Sequence, residues 1–358
     1  MAAPYLMEIA AAAAPAPSTN STRMVVLMGG PIAAGHIDVS GCGLQSRGWV
    51  FQEGLCSPRG LYISRRHGLW WDCRTMVDAI DASEPIMTGD TDHAFNPRTL
   101  RRSFPQAEPP ANSLHQNLSF NWYDWIMSYT LRNLTRQPDR LPAVAGLASY
   151  AFSLSGMTYA AGLWKEDILR GLTWRRGNSG YAERAPGNAP TWSWASVTGP
   201  IHYDEFFTMR VDHRGEIKKR PKLDLEITGT TIHEVRPGTF GNVQGGEIEA
   251  TGILRNAATM LVGTGLSADW YLDLQPAGEE NQFLESCQVL RLAMAYRNKQ
   301  NSKPQVYFLI VRKTGEGVNE YQRVGRGYIE LRGRPSPKSE LPEQGIWEQA
   351  ERVTLTLV

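Results

Sequence analysis

Two periodicities alternate along the chain. Trp49 and Glu53 lie four apart, as do Gln52 and Cys56, and on a helix that spacing brings each pair onto one face. A short helix over Ser46–Cys56 is therefore predicted, stopped by Pro58. From Leu61 the period becomes two. Leu61 and Ile63, then Leu69, Trp71 and Cys73, fall on one side, and Arg65-Arg66-His67-Gly68 between them predicts a hairpin loop. The stretch from Asp81 to Asn117 is polar and holds Pro85, Pro97, Pro105, Pro109 and Pro110, which predicts a long surface loop. Helical spacing resumes at Asn121 with Trp122, Trp125, Ile126 and Tyr129 on one stripe. Asp139 is placed to cap a second helix running to about Ser153, with Pro142 in its first turn. A third helix is expected over Tyr159–Trp174, burying Leu163, Ile168 and Leu172.

From Thr191 onward strand patterns take over. Trp192 and Trp194 would share one face of a strand. Leu223–Ile227, Glu247–Leu254, Trp270–Leu274, Gln288–Ala295, Val306–Val311, Tyr321–Glu330 and Arg352–Leu357 all read as strands between Gly, Pro, Asn or charged turns. The expected fold class is α+β: a helix plus hairpin and a three-helix unit, followed by a mainly antiparallel β-rich C-terminal region, an antiparallel sheet or a small sandwich. Three segments follow from this pattern: a low-order N-terminal segment over 1–45, a motif region with the helical unit over 46–200, and a β-rich region over 201–358.

Composition narrows the functional classes. With 358 residues, 42% hydrophobic and 20% charged, the chain is long enough to bury a sizeable core. The 37 Lys and Arg against 36 Asp and Glu leave no net field to draw nucleic acid or an anionic membrane. No apolar run is long enough to span a membrane. No Lys or Arg precedes Arg23 and Glu8 interrupts the early apolar run, so residues 1–22 do not read as a signal peptide. A cytoplasmic location is expected, and the sequons at Asn20, Asn117 and Asn133 are then chance matches.

Several candidate chemistries are weak on inspection. Met24–Met28 reads as a strand, and Gly30 to Gly35 has a phosphate-loop glycine spacing. However, His36 and Ile37 stand where a Lys and a Ser or Thr would be needed. Cys42, Cys56, Cys73 and Cys287 show no zinc-binding spacing and read as buried thiols. His93 and His115 read as solvated. His202 beside Asp204 and Glu205 is not a metal cluster, because strand neighbours point opposite ways.

One stretch is specific. Arg47-Gly48-Trp49-Val50-Phe51-Gln52-Glu53, Leu55, Ser57-Pro58-Arg59 and Trp71-Asp72-Cys73 resemble the RGW-x-x-QE-x-x-LSPR…WEC signature of the fungal heterokaryon-incompatibility (HET) domain proteins. The resemblance continues in order through Trp125, Tyr129, Arg132, Leu134 and Thr135. It then runs through Asp139-Arg140-Leu141-Pro142-Ala143 with Gly146-Leu147-Ala148, Ala161-Gly162-Leu163-Trp164, and Ala189-Pro190-Thr191-Trp192-Ser193-Trp194-Ala195-Ser196. It covers about Ser46 to Ser196. The family's upstream α/β portion has no counterpart in the residues before Arg47, so the chain resembles a C-terminal portion, by natural truncation or an incomplete gene model.

The resemblance implies a non-self-recognition protein linked to programmed cell death, regulatory rather than catalytic, with other proteins as partners, including HET or NLR-type recognition proteins. HET domains are held to be distant relatives of TIR domains, whose NAD-cleaving members carry a Trp-x-x-x-Glu helix similar to Trp49–Glu53. That likeness makes Glu53 the candidate catalytic residue and NAD a substrate rather than a cofactor; no cofactor and no metal are expected. A fixed carboxylate there could stabilise the positive charge that develops on the ribose as the nicotinamide bond breaks. The alternative to the regulatory reading is thus an enzyme, NAD-cleaving through Glu53 or a small-molecule enzyme of secondary metabolism. The plainer role of the motif is structural: Glu53 pairs with Arg47 or Arg59 at the helix margins, and Trp49, Trp71, Trp192 and Trp194 are buried.

Overall fold

The computed structural model describes residues 25–29, 44, 46–57, 59–64, 68–73, 77–79, 111–177, 182–203, 222–261, 268–276, 278–296, 304–331, 347 and 350–358. It is an α+β structure, helices followed by a sheet-rich C-terminal region. The first strands, β1 (Val25–Gly29), β2 (Arg59–Ser64), β3 (Gly68–Cys73) and β4 (Val77–Ala79), form a four-stranded sheet in that order. In it Leu61 lies opposite Trp71 and Ile63 opposite Leu69. Helix α1 (Gly48–Cys56) sits between β1 and β2 in sequence and buries Val50, Phe51 and Leu55. Ser57 ends it by donating from both its N–H (3.1 Å) and its hydroxyl (2.7 Å) to Glu53 O.

Helix α2 spans Ala111–Thr130, so Ala111–Asn117 is helical rather than part of the expected loop. Pro109 and Pro110 stand immediately before its first turn, where proline does not interrupt a helix, and the polar residues that follow suit one too. The expected helices further on are shorter or displaced. Asp139 does not cap one: it lies in a 3-10 turn over Gln137–Arg140, and α3 (Ala145–Ser155) starts after Val144. The expected third helix is a two-residue hairpin, β5 (Tyr159–Ala160) with β6 (Leu163–Trp164), then a 3-10 turn and one helical turn, α4 (Ile168–Gly171). Ala161 at φ 45° and Gly162 at φ 97° reverse the chain and forbid a continuous helix. Strand β7 (Arg175–Arg176) pairs with β8 (Ile201–His202). Trp192 and Trp194 are not in a strand: Trp194–Ser196 is a 3-10 turn capped by Ser193, whose Oγ accepts from Ala195 N at 3.1 Å.

Beyond it come β9 (Lys222–Leu223), β10 (Glu226–Glu234), β11 (Val243–Asn256), α5 (Ala257–Leu261), β12 (Ala268–Leu272), α6 (Glu280–Glu285), β13 (Cys287–Tyr296), β14 (Pro304–Lys313), β15 (Glu320–Glu330) and β16 (Glu351–Leu357). Strands β11, β16, β15, β14 and β13 are hydrogen-bonded in that order, and β13 returns to β11 through Leu254–Asn256. Where an antiparallel sheet or a small sandwich was expected, the strands form a closed, barrel-like ring of five, with β9, β10 and β12 attached at its margins. Closure removes the exposed ladder edges an open sheet would have. One pairing within it, β15 with β16, is parallel.

Two cores flank the central strands. On β14, Tyr307, Leu309 and Val311 join the cluster that contains Phe51, Trp125, Trp164 and Trp194. Val306, Phe308 and Ile310 join a second cluster with Met260 of α5 and Leu284 of α6. The first cluster runs from Phe51 to Leu357, so buried residues on both sides of residue 200 share one core. Among the described residues, no helix is long and apolar enough to cross a membrane.

Candidate functional site

The family-like residues in the described structure divide into docking anchors and an exposed face. Gly48 lies where a Cβ would come within 2.5 Å of Leu134 Cδ2, so a side chain there would have to displace Leu134, just past the end of α2. Its N–H donates to Asn133 O at 2.8 Å, and Asn133 N donates back to Ser46 O at 2.6 Å. Gln52 reaches α3, its Oε1 accepting from Gly146 N at 2.8 Å. This satisfies one of the N–H groups a helix start leaves without an internal partner. Phe51 packs on Tyr129 with ring centroids 5.9 Å apart, and Arg132 lies over its ring at 5.1 Å.

Trp49 departs from the expectation of burial, being 38% exposed. Its indole Nε1 donates to Asp139 Oδ2 at 3.3 Å, which gives Asp139 its role. Trp49, Glu53 and Cys56 are all exposed and lie at i, i+4 and i+7, one outward stripe of α1. The expected pairing of Glu53 with Arg47 or Arg59 is not formed; all three side chains are exposed. Of the cysteines, Cys56 is exposed rather than buried, and Cys287 is buried. Arg59 opens β2 opposite Cys73 in the backbone register, while Pro58 lies outside the described residues, as do Cys42, His36, His93, Asp204 and Glu205. The side chains of Trp71, Cys73 and His115 lie outside them too.

Trp192 and Trp194 are fully buried, as expected, and the structure shows what they hold. Trp194 Nε1 and Trp122 Nε1 both donate to Gly162 O at 2.9 Å. A Cβ on Gly162 would lie 2.5 Å from Trp194 Nε1, so the turn admits no side chain there. Ser193 Oγ donates to Ala161 O at 2.6 Å. Arg140 is buried over the Trp194 ring at 5.5 Å, and burial lowers its guanidinium to about 10. Trp174 Nε1 donates to Trp192 O at 2.9 Å, and Trp192 Nε1 to Gly246 O of β11 at 3.2 Å.

A second cluster lies at the seam between this unit and the barrel, and the sequence reading missed it. Arg323 of β15 is fully buried against Asp273, with Nε 2.9 Å from Oδ2 and Nη2 3.1 Å from Oδ1. The same guanidinium donates to Leu172 O at 2.8 Å and Trp174 O at 2.6 Å, and stacks 3.4 Å from the centre of the Trp174 ring. Burial pushes the Asp273 carboxyl up, and Arg323 opposes that shift. Thr191 completes the seam: its N–H and hydroxyl both donate to Val358 O, and its Oγ1 accepts from Arg323 N at 2.9 Å. One signal was present, since Arg323 lies two residues from the buried Tyr321 and in phase with it on β15. Beside this pair opens a cleft of about 190 Å³, lined by Arg184, Arg312 and Arg323 among others.

No family model, curated protein or solved structure matches the chain. Function is therefore argued from these two places: an outward stripe on a firmly docked helix, and an arginine-lined cleft at the seam. Among the described residues, no group of three or more His, Cys, Asp or Glu side chains is arranged to hold a metal ion.

Proposed function

We propose that the chain is a HET-type protein of fungal non-self recognition, cytoplasmic, acting through contact with other proteins to trigger incompatibility and cell death. The observation that carries this reading is the division of labour on α1. Gly48, Phe51, Gln52 and Leu55 dock the helix, while Trp49, Glu53 and Cys56 are turned to solvent. An aromatic residue held out on a fixed helix is a common centre of protein contact. Leu131, 47% exposed at the end of α2, adds a second outward apolar side chain close in sequence to Asn133, which binds Gly48.

An NAD-cleaving role for Glu53 finds less support. A carboxylate exposed on a helix face is screened by water, which weakens the charge it would offer a reacting ribose. The test is expression of the chain in fungal cells of unlike genotype. Growth arrest should follow, Trp49→Ala should abolish it while leaving the protein folded, and purified protein should release no nicotinamide from NAD. Nicotinamide release that Glu53→Ala abolishes would replace this reading with the enzymatic one.

A further inference from the structure

We propose that the cleft at the seam between the helical unit and the barrel binds a small anion, a carboxylate or phosphate group gripped by Arg184 and Arg312. The walls come from separate parts of the chain. Residues 182–185 are pinned on two sides, by a bridge from Ala182 to Leu274 and by Arg184 against Val197, with Ala185 N donating to Ser196 O at 2.9 Å. Clefts at such junctions are the places where small ligands are most often held.

The charge within the cleft is unbalanced. Three arginines line it, and Asp273 is the one acid among the lining residues. Asp273 is already chelated by Arg323, which also spends donors on Leu172 O and Trp174 O. Arg184 feels the same Asp273 charge and Arg312 has no acid of its own among the described lining residues, so three guanidiniums share one carboxylate. The neutral hydroxyls are committed too: Ser196 Oγ donates to Thr191 O at 3.2 Å and Thr191 Oγ1 to Val358 O. An incoming anion therefore meets the arginines.

Arg312 is preorganised for that task. With the Gln322 amide turned so that its oxygen faces the guanidinium, Oε1 accepts from Nη2 at 2.8 Å and from Nε at 3.2 Å, and the guanidinium lies 5.3 Å from the centre of the Phe283 ring. This fixes the plane of the fork, and Nη1 takes no part in these bonds. Planar forks of this kind match carboxylate and phosphate oxygens in pairs. Arg184 is exposed at the mouth, where it can close on an anion from solvent. A volume of about 190 Å³ lies below the range usual for drug-sized ligands and suits a small anion.

The test is calorimetric titration of the full chain with inorganic phosphate, pyrophosphate and citrate, each against sodium chloride at equal ionic strength. Saturable binding of at least one of them is expected, with a raised thermal midpoint. Phosphates alone binding assigns a phosphate ligand, and citrate alone a carboxylate one. Arg184→Gln and Arg312→Gln should each weaken binding about tenfold or more, the loss expected for one charge-assisted contact, with thermal midpoints of the free protein unchanged. Arg236→Gln, an exposed position outside the cleft, should leave binding as it is. Responses no larger than chloride gives, or affinities equal in wild type, Arg184→Gln and Arg312→Gln, would overturn the proposal.

Discussion

Among the described residues, those between Met157 and Tyr203 form few regular elements, whereas those from Val243 to Leu357 are mostly strand. Both regions bury their backbone, so both must satisfy its carbonyls and N–H groups. The barrel does so with ladders, and closes the ladder on itself between β11 and β13. Among the described residues of that stretch the ladders are the two-residue pairs β5–β6 and β7–β8, and side chains take much of that part. Trp122, Trp174, Trp192 and Trp194 each donate an indole N–H to a backbone carbonyl, Tyr129 donates to Arg140 O at 2.9 Å, and Arg323 reaches across from the barrel to two more carbonyls. The contrast teaches that these aromatic residues supply donors as well as apolar area, so they behave differently under substitution from the aliphatic residues of the barrel.

The broadest way to sharpen that comparison is alkaline pH. Burial raises the phenols of Tyr123, Tyr129, Tyr159 and Tyr203 above the ordinary value of 10.0, and all four belong to the helical unit; the barrel adds Tyr321. The folded chain keeps these protons at pH values where the unfolded chain has released them. Their stabilising effect is thus fully present below pH 10 and is lost as pH rises towards the folded values. Denaturant midpoints should fall steadily above about pH 10, with tyrosinate absorbance appearing together with unfolding. Free titration of every tyrosine near pH 10 in a protein that stays folded would break the comparison.

Next in size are two substitutions. Trp194→Ala should cost about 3–5 kcal/mol by leaving a cavity and removing a donor to Gly162 O. Arg323→Met should cost a similar amount, about 3–5 kcal/mol, because Asp273 is left buried without its partner. Adding Asp273→Leu to Arg323→Met should recover part of that loss. Chemical denaturation measures each, and an unchanged midpoint for Trp194→Ala would contradict the account.

A matched pair tests the donor argument more directly. Trp174→Phe should cost about 1–3 kcal/mol, since Trp192 O loses its indole partner in a buried setting. Phe308→Leu, in the barrel's second core, orphans no polar group and should cost less than about 1.5 kcal/mol. Equal costs would mean that packing alone decides both. Smallest of all is Trp49→Ala, expected to cost about 1 kcal/mol, because the ring is partly exposed and has one long hydrogen bond, to Asp139. Its circular-dichroism spectrum should match the wild type, which makes it usable in the cell-death experiment.

The sequence by itself determined several of the strands. Alternation with period two is a local property, so Gln288–Ala295, Val306–Val311 and Tyr321–Glu330 could be read within a residue or two of β13, β14 and β15, and the hairpin of Leu61 with Trp71 likewise. Helix α1 was legible for the same reason. Tertiary structure alone decided the rest. Closure of the ring depends on Leu254 meeting Leu290, a contact that no local pattern encodes. The supposed third helix fails at Ala161 and Gly162, because Trp194, from a distant segment, requires the backbone of Gly162 to lie against its indole. Trp49 and Trp194 share a residue type and a signature, yet one is exposed and the other buried. Burial is set by what the rest of the chain places beside each ring. The arginine cleft is of the same kind: Arg184, Arg312 and Arg323 are unremarkable in sequence, and become a concentration of positive charge only where the fold brings their three segments together around one committed carboxylate.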